Sequence, residues 1–351
     1  MPTFSGTLNK NHIQNALFNM IISQDVIGGS IKANYNLVDK ARVDGTLYGD
    51  TKLYIDTPTL VSVAWNQDGA DETNVLALHR PPAPKTQAIT MGVYRQVRLT
   101  KDDYMSKQAF GTEGAFVQYQ SVLDSRLNKT KEIYDNTTYN AFFGTVEATK
   151  TVEVALSDIT ATGVEKNKLE GEMIAQSIAD LIADMKDYSY EYTKNGFLRA
   201  FGNEDIHIVW NTKFLNKIRK YAMPEVFNEL SIDKFGEDQL PARFFGTVNT
   251  APTVGDGVKV RSLVEQVIGS NHYFPGELIK STDTAPAKTS YTVDENIICK
   301  VYTKLPPYMS AFNVGTSFFN AKNLSTNMYQ TWGHNVLEAL DSEAIVTVHA
   351  N

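Results

Sequence analysis

Asp102 and Asp103 stand side by side, and a carboxylate pair is the least equipment that general acid–base chemistry needs. Adjacent side chains on an extended segment point to opposite faces, so these two cannot share a substrate and read as a turn at a strand end. Glu170 and Glu172 open a strongly periodic segment, where carboxylates complement the positive end of a helix dipole. The histidines, at 12, 79, 207, 272, 334 and 349, show neither H-x-x-x-H nor H-E-x-x-H spacing, so they do not form a metal-ligand set. Gly-Asp-Gly in "TVGDGVKV" (253–260) lacks the context of a phosphate loop and reads as a hairpin turn. No G-x-S-x-G nucleophile elbow occurs. Cys299, the single cysteine, lies in "ENIICKVYTK" with no activating partner nearby in sequence. It reads as a small apolar residue on a strand, and no internal disulfide is possible. The expectation is a protein without enzymatic activity, cofactor or metal.

The chain is long enough, at 351 residues, for one large domain or two to three ordinary ones. A hydrophobic fraction of 42% against 21% charged residues is that of a folded protein. A formal net charge of -7 argues against a dedicated nucleic-acid binder, though it leaves room for a local basic face. The first residues, "MPTFSGTLNKNHIQNALFNMIISQDV", have no basic region followed by a continuous apolar core, so they are not a signal peptide. No window reaches 18 apolar residues, and none is expected to span a membrane. The expected site of synthesis is a cytosol, which makes the sequons at Asn128, Asn136 and Asn323 incidental.

The elements that would position any site follow from periodicity. Residues 1–50 alternate short apolar clusters with polar linkers. A helix over His12–Ile22, capped by Thr7 or Asn11 and ended by Gly28-Gly29, precedes an arm that cannot bury itself. Residues 51–65 read as strand, with Val61, Val63 and Trp65 on one face. Residues 88–100 alternate more cleanly: Ile89, Met91, Val93, Val97 and Leu99 share one face, and Thr90, Tyr94, Gln96 and Arg98 the other. Between them "NQDGADETNVLALHRPPAPKTQ" is acidic at one end, with Asp68, Asp71 and Glu72, while Arg80 and Lys85 follow its apolar patch. Two strands joined by about 20 loose residues make a long hairpin, unusual inside a compact domain.

Residues 116–145 contain no proline, and no glycine until Gly144. Phe116, Tyr119, Val122, Leu123 and Leu127 keep helical spacing, which resumes at Ile133 after a polar gap over 128–131. About 28 helical residues would span about 42 Å, with Gly144 as the C-terminal cap. Residues 149–161 read as strand then turn. The segment 170–191 carries the strongest helical stripe, through Met173, Ile174, Ile178, Leu181, Ile182 and Met185. "IHIVWN" (206–211) is a buried strand, followed by a helix capped by Asn211 or Thr212. "SLVEQVIGS" (262–270) reads as a short helix, "NIICKVYTKL" (296–305) as strand, and the remainder as β-rich. No internal repeat appears.

The order of these parts resembles the major capsid protein of tailed double-stranded DNA bacteriophages, the Hong Kong 97-like fold. "YRQVRLTKDDY" (94–104), leading into "FVQYQSVLDSRLNKTKEIYDNTTYNAFFG" (116–144), resembles an E-loop return strand entering the family's spine helix. The stretch from 296 to 350 resembles its closing P-domain strands. The likeness covers the whole chain as an ordering and rests on no single specific motif. It implies an α+β fold with an N-terminal arm (1–50), an E-loop-like hairpin (51–100), a P-domain with spine helix (101–167), an A-domain (168–310) and a C-terminal return to the P-domain (311–351). It implies a structural protein made in the host cytoplasm that assembles into the icosahedral head around the genome and resides in the virion. Its partners would be itself, in hexamers and pentamers, with scaffolding protein and portal, a decoration or cement protein, and packaged DNA only weakly, with no membrane. No basic helical segment of the family's delta-domain kind precedes residue 1, so either it has been removed or a separate scaffolding protein acts. Where the family crosslinks covalently, Lys joins Asn across subunits near a Glu; no pair is singled out here. The candidate intersubunit residues are Asp68, Asp71, Glu72, Arg80, Lys85 and Tyr94. Phe116, Tyr119, Leu123 and Leu127 are the candidate core of the spine helix.

The alternative is a two-domain α/β enzyme or binding protein with 51–100 as a hairpin lid. A tail tube or sheath subunit is a third reading, disfavoured by helices at 116–142 and 170–188.

Overall fold

The computed structural model describes residues 36–45, 51–60, 62, 78, 80–91, 93–102, 113–221, 238–248, 258–260, 266–268, 271–273, 290–337 and 339–351. A short helix, α1 (Val38–Ala41), leads into β1 (Arg42–Asp44). Two strands, β2 (Thr51–Asp56) and β3 (Lys85–Thr90), then form an antiparallel ribbon with Thr51 opposite Thr90 and Asp56 opposite Lys85. After β4 (Val93–Asp102) comes α2 (Glu113–Thr145), 33 residues without a break. At 1.5 Å per residue it is about 50 Å long.

The central sheet has the order β5–β16–β13–β6–β7. These strands are β5 (Lys150–Val154), β6 (His207–Asn211), β7 (Gln239–Leu240), β13 (Ile297–Tyr302) and β16 (Ile345–Ala350). Every residue of β13 is buried, which is why it reads as a nearly continuous apolar run rather than an alternation. One face packs on α3 (Gly163–Lys186) and α4 (Thr212–Tyr221). Ile174, Ile178, Leu181 and Met185 there meet Ile208, Trp210, Cys299, Val301, Val346 and Val348. The other face packs on the C-terminal end of α2: Tyr139, Phe142 and Phe143 meet Val209, Ile297, Tyr302 and Ile345. Each such aliphatic or aromatic burial contributes about 1.5–3 kcal/mol. The sheet is thus covered on both faces.

A second sheet has the order β1–β14–β15–β4, built on β14 (Tyr308–Asn320) and β15 (Ser325–Val336). β1 runs parallel to β14 but covers only Tyr308–Ser310. A smaller sheet pairs β12 (Ser290–Val293) with β8 (Gly246–Val248) and β9 (Val258–Val260). The strands of the central sheet come from all three stretches 101–167, 168–310 and 311–351, and residue 167 falls inside α3.

Several expectations are corrected. The second arm of the hairpin is 85–90, not 88–100: residues 93–102 turn away and pair along their length with β15, Leu99 opposite Met328. Their alternation came from covering that sheet, since Val97 and Leu99 are half-buried while Tyr94, Gln96 and Arg98 are exposed. The expected helix at 262–270 is replaced, where described, by β10 (Gln266–Ile268) paired with β11 (Asn271–Tyr273). Gly144 does not cap the long helix. It lies within α2, and a Cβ there would sit 1.9 Å from the Phe244 carbonyl oxygen, so glycine is required by close backbone approach. Ile133, placed on the apolar stripe, is exposed, whereas Lys131 in the polar gap is buried. The strongly periodic helix begins at Gly163 and ends at Lys186, earlier at both ends than read from the sequence. The proposed N-terminal helix over 12–22 and the Val61, Val63 and Trp65 face lie outside the described residues.

Candidate intersubunit surfaces

Two surfaces expose neighbouring apolar side chains, and a third presents an open strand edge. The ribbon β2–β3 turns Leu53 and Ile55 outward, 57% and 62% exposed, with Ala88 beside Leu53 on the facing strand. Its other face is fixed to the body. Asp56 is buried, ion-paired with Arg199 and accepting from Asn195 at 2.5 Å. Gln87 donates to the Ala339 carbonyl at 3.2 Å and accepts from the Asp341 amide at 2.9 Å. The ribbon's root is therefore anchored by these polar contacts and by the buried Ile89, while Leu53 and Ile55 face away from them.

The second surface is the tip of the β14–β15 hairpin, where Phe318, Phe319 and Leu324 are exposed. The third is the far edge of β14. Beyond Ser310 no strand pairs there among the described residues. Residues 311–320, "AFNVGTSFFN", carry no charge and no proline, the usual protections of an open strand edge.

The candidate residues from the sequence divide between these places. Asp68, Asp71 and Glu72 lie outside the described residues. Arg80 and Tyr94 are exposed. Lys85, also exposed, donates to the Asn195 carbonyl at 2.9 Å in its own chain and lies over the Phe197 ring. Phe116 and Leu127 are buried, and Tyr119 and Leu123 half-buried. The N-terminal part of α2 is thus gripped at few points, while every residue from Thr138 to Thr145 is buried. The structure does not gather the seven described residues into one site.

Three polar constructions escaped the sequence reading. Lys131 Nζ pairs with Asp135 at 2.8 Å, both buried, and the Tyr308 hydroxyl donates to the same carboxylate at 2.7 Å. Burial and the Asp135 charge push the Tyr308 phenol far above its ordinary range. Trp332 and His334 of β15 close this cluster, His334 stacked on Tyr308 and Lys131 over the Trp332 ring. The Lys131/Asp135 spacing of four was the available signal, but in sequence Lys131 reads as part of the polar gap at 128–131. Lys300, fully buried in β13, donates to the carbonyls of Val146 at 2.8 Å and Phe143 at 3.3 Å, a cation at the negative end of α2. Glu170, read as a helix-dipole partner, instead pairs with Lys217 and ties α3 to α4. As expected, Cys299 is buried on a strand, and burial pushes its thiol well above the usual range. Asn211 caps α4 through its side-chain oxygen, which accepts from the Lys213 amide at 3.1 Å.

A cleft between α2 and the β14–β15 hairpin is lined by Asp124, Leu127, Asn128, Gly315, Tyr329 and Gln330 among others. Among the described residues no group of His, Cys, Asp or Glu is arranged to hold a metal ion, and no helix is long and apolar enough to cross a membrane.

No protein-family model matches the sequence, and no curated protein matches it either. Solved structures do. A chain in the capsid structure of Staphylococcus phage Andhra superposes with a TM-score of 0.66 at 10% identity, over 95% of this chain and 88% of that one. The chain has the fold found in that phage capsid. A second likeness, TM-score 0.58 at 11% identity over 99% of this chain and 94% of the other, is to the structure described as head fiber and inner core protein gp22 of native bacteriophage P68. The mixed α+β capsid fold therefore extends over nearly the whole chain, with almost no sequence in common.

Proposed function

We propose that this chain is the major structural protein of a tailed-phage head, assembling with copies of itself into a closed icosahedral shell around double-stranded DNA. The single observation that carries this reading is the near full-length likeness to a chain of a phage capsid. In this reading the architecture is Hong Kong 97-like: arm 1–50, an E-loop-like region from 51 whose ribbon is β2 and β3, a P-domain that includes α2 as spine to about 167, A-domain 168–310 and return 311–351. The exposed apolar faces of the ribbon, the β14–β15 tip and the β14 edge support it, because identical subunits can each cover the next. Asp68, Asp71, Glu72, Arg80, Lys85 and Tyr94 would border these contacts, where rim charges tune specificity and rate more than affinity. A scaffolding protein, a portal and a decoration protein are the further partners this role calls for. The lid-bearing enzyme is the weaker reading, since Asp56, Gln87 and the buried Ile89 pin the ribbon to the body while Leu53 and Ile55 face outward.

The test is negative-stain microscopy and sedimentation velocity of the purified chain, beside a variant with residues 61–79 replaced by a short Gly-Ser turn. The ribbon root survives this change, and closing a loop of different length costs little. Wild type is expected to give closed megadalton particles and the variant folded single subunits. A wild type that stays a small discrete oligomer with and without scaffolding protein overturns the shell reading. A variant that still closes normal particles removes the hairpin from the contact.

A further inference from the structure

We infer that His349 is a pH-sensitive clamp, fastening the last strand of the chain to the turn that leads out of the three-stranded sheet. His349 sits in β16, between Glu153 of β5 and Ile297 of β13 in register. Its Nδ1 is 2.9 Å from the Glu153 carboxylate and its Nε2 3.1 Å from the Asp294 carboxylate. Neutral imidazole has one N–H and one bare lone pair. It can donate to one carboxylate only, and its other nitrogen then turns a lone pair on the second. Both contacts are hydrogen bonds at once only in the imidazolium. The two carboxylates take different ring nitrogens on opposite sides, so the arrangement is not the chelation of one cation. Nearby cations are engaged elsewhere: Lys300 on the carbonyls ending α2, and Lys213 with Glu295 at 3.1 Å.

What the ring joins gives the clamp its consequence. Residues 294–296 connect β12 of the three-stranded sheet to β13 of the central one. Asp294 donates its amide to the Phe245 carbonyl at 3.3 Å and accepts from the Asn296 amide at 3.0 Å. The Ala350 amide in turn donates to the Asn296 carbonyl at 2.9 Å. The protonated ring therefore holds β16 against the joint between two sheets. The sign follows from the donor count: both contacts are hydrogen bonds where the ring is protonated and the carboxylates are ionised, and one of them is lost when the ring is neutral.

Amide hydrogen exchange tests this on the full chain at about pH 6 and about pH 8.5, with rates corrected for intrinsic pH dependence. The peptides to follow cover 290–302 and 345–351, with α3 as internal reference. Wild type is expected to lose protection about tenfold in these peptides, relative to α3, at the higher pH. His349→Gln and Asp294→Asn should show no such step. Parallel profiles for wild type and His349→Gln overturn the proposal, as does a loss of the same size in α3. Should His349→Gln not fold, Glu153→Gln, at a more exposed position, decides: an unchanged full step overturns the clamp, and a reduced step supports it.

Discussion

Lys131 and Asp135 show how a buried pair behaves at the scale of single residues. Both are withdrawn from water, and the Asp135 carboxylate serves two donors, Lys131 and Tyr308. Desolvation offsets much of their mutual attraction, so the intact pair is weak support for stability, while a broken pair is costly. Asp135→Asn keeps an acceptor for Tyr308 but strands the Lys131 charge. It should destabilise the subunit by about 3 kcal/mol. Adding Lys131→Met should recover most of that loss. Urea unfolding of the three proteins checks this, and equal stabilities for the single and double variants would sink it. Polar residues at helical spacing inside an apolar stripe look like a solvated gap in sequence. Here they were a buried cluster, because Tyr308, Trp332 and His334 arrive from strands some 170 to 200 residues later.

At the scale of elements, α2 is held unevenly. Its last turns are enclosed between the central sheet and Phe244–Phe245, and its earlier turns bury chiefly Phe116 and Leu127. Gly144 sits at the tightest point, with no room for a Cβ against the Phe244 carbonyl. That neighbour is backbone and cannot swing aside. Gly144→Ala should therefore destabilise by about 2 kcal/mol, although alanine is the better helix former by about 1 kcal/mol. Thermal unfolding is the measurement: an unchanged or raised midpoint would mean that the 242–245 segment does not press on the helix. Such a glycine near the end of a helical run has the sequence signature of a cap. Only the approach of a distant segment shows that it is a contact.

For the whole molecule, charge and exposed apolar surface point the same way. A formal net charge of -7 gives no general attraction to phosphate. The edge at 311–320 is uncharged and Leu53 and Ile55 point outward, so neither surface supplies cations for phosphate contacts. The purified chain should show no gel shift of duplex DNA at nanomolar concentration in about 150 mM salt. A shift there would favour a nucleic-acid-handling role over a shell wall.

The sequence by itself determined what local periodicity encodes: one very long helix with a thin stripe, a strongly amphipathic second helix, buried strands at 206–211 and 296–305, and a β-rich close. These follow from repeats of 3.6 and 2 residues, which neighbours in the chain express without help. Their order also carried the resemblance to a capsid fold. Only the tertiary structure decided partners. It assigned residues 93–102 to β15 rather than to the hairpin, because an alternating strand fits any sheet with one covered face. It turned the expected helix at 262–270 into paired strands where described, short apolar runs being ambiguous by pattern alone. It buried Lys131 and Lys300, the first beneath Tyr308 and Trp332 from distant strands and the second against the carbonyls that end α2. It also placed His349 between two carboxylates that lie 196 and 55 residues away, a juxtaposition that no local pattern records.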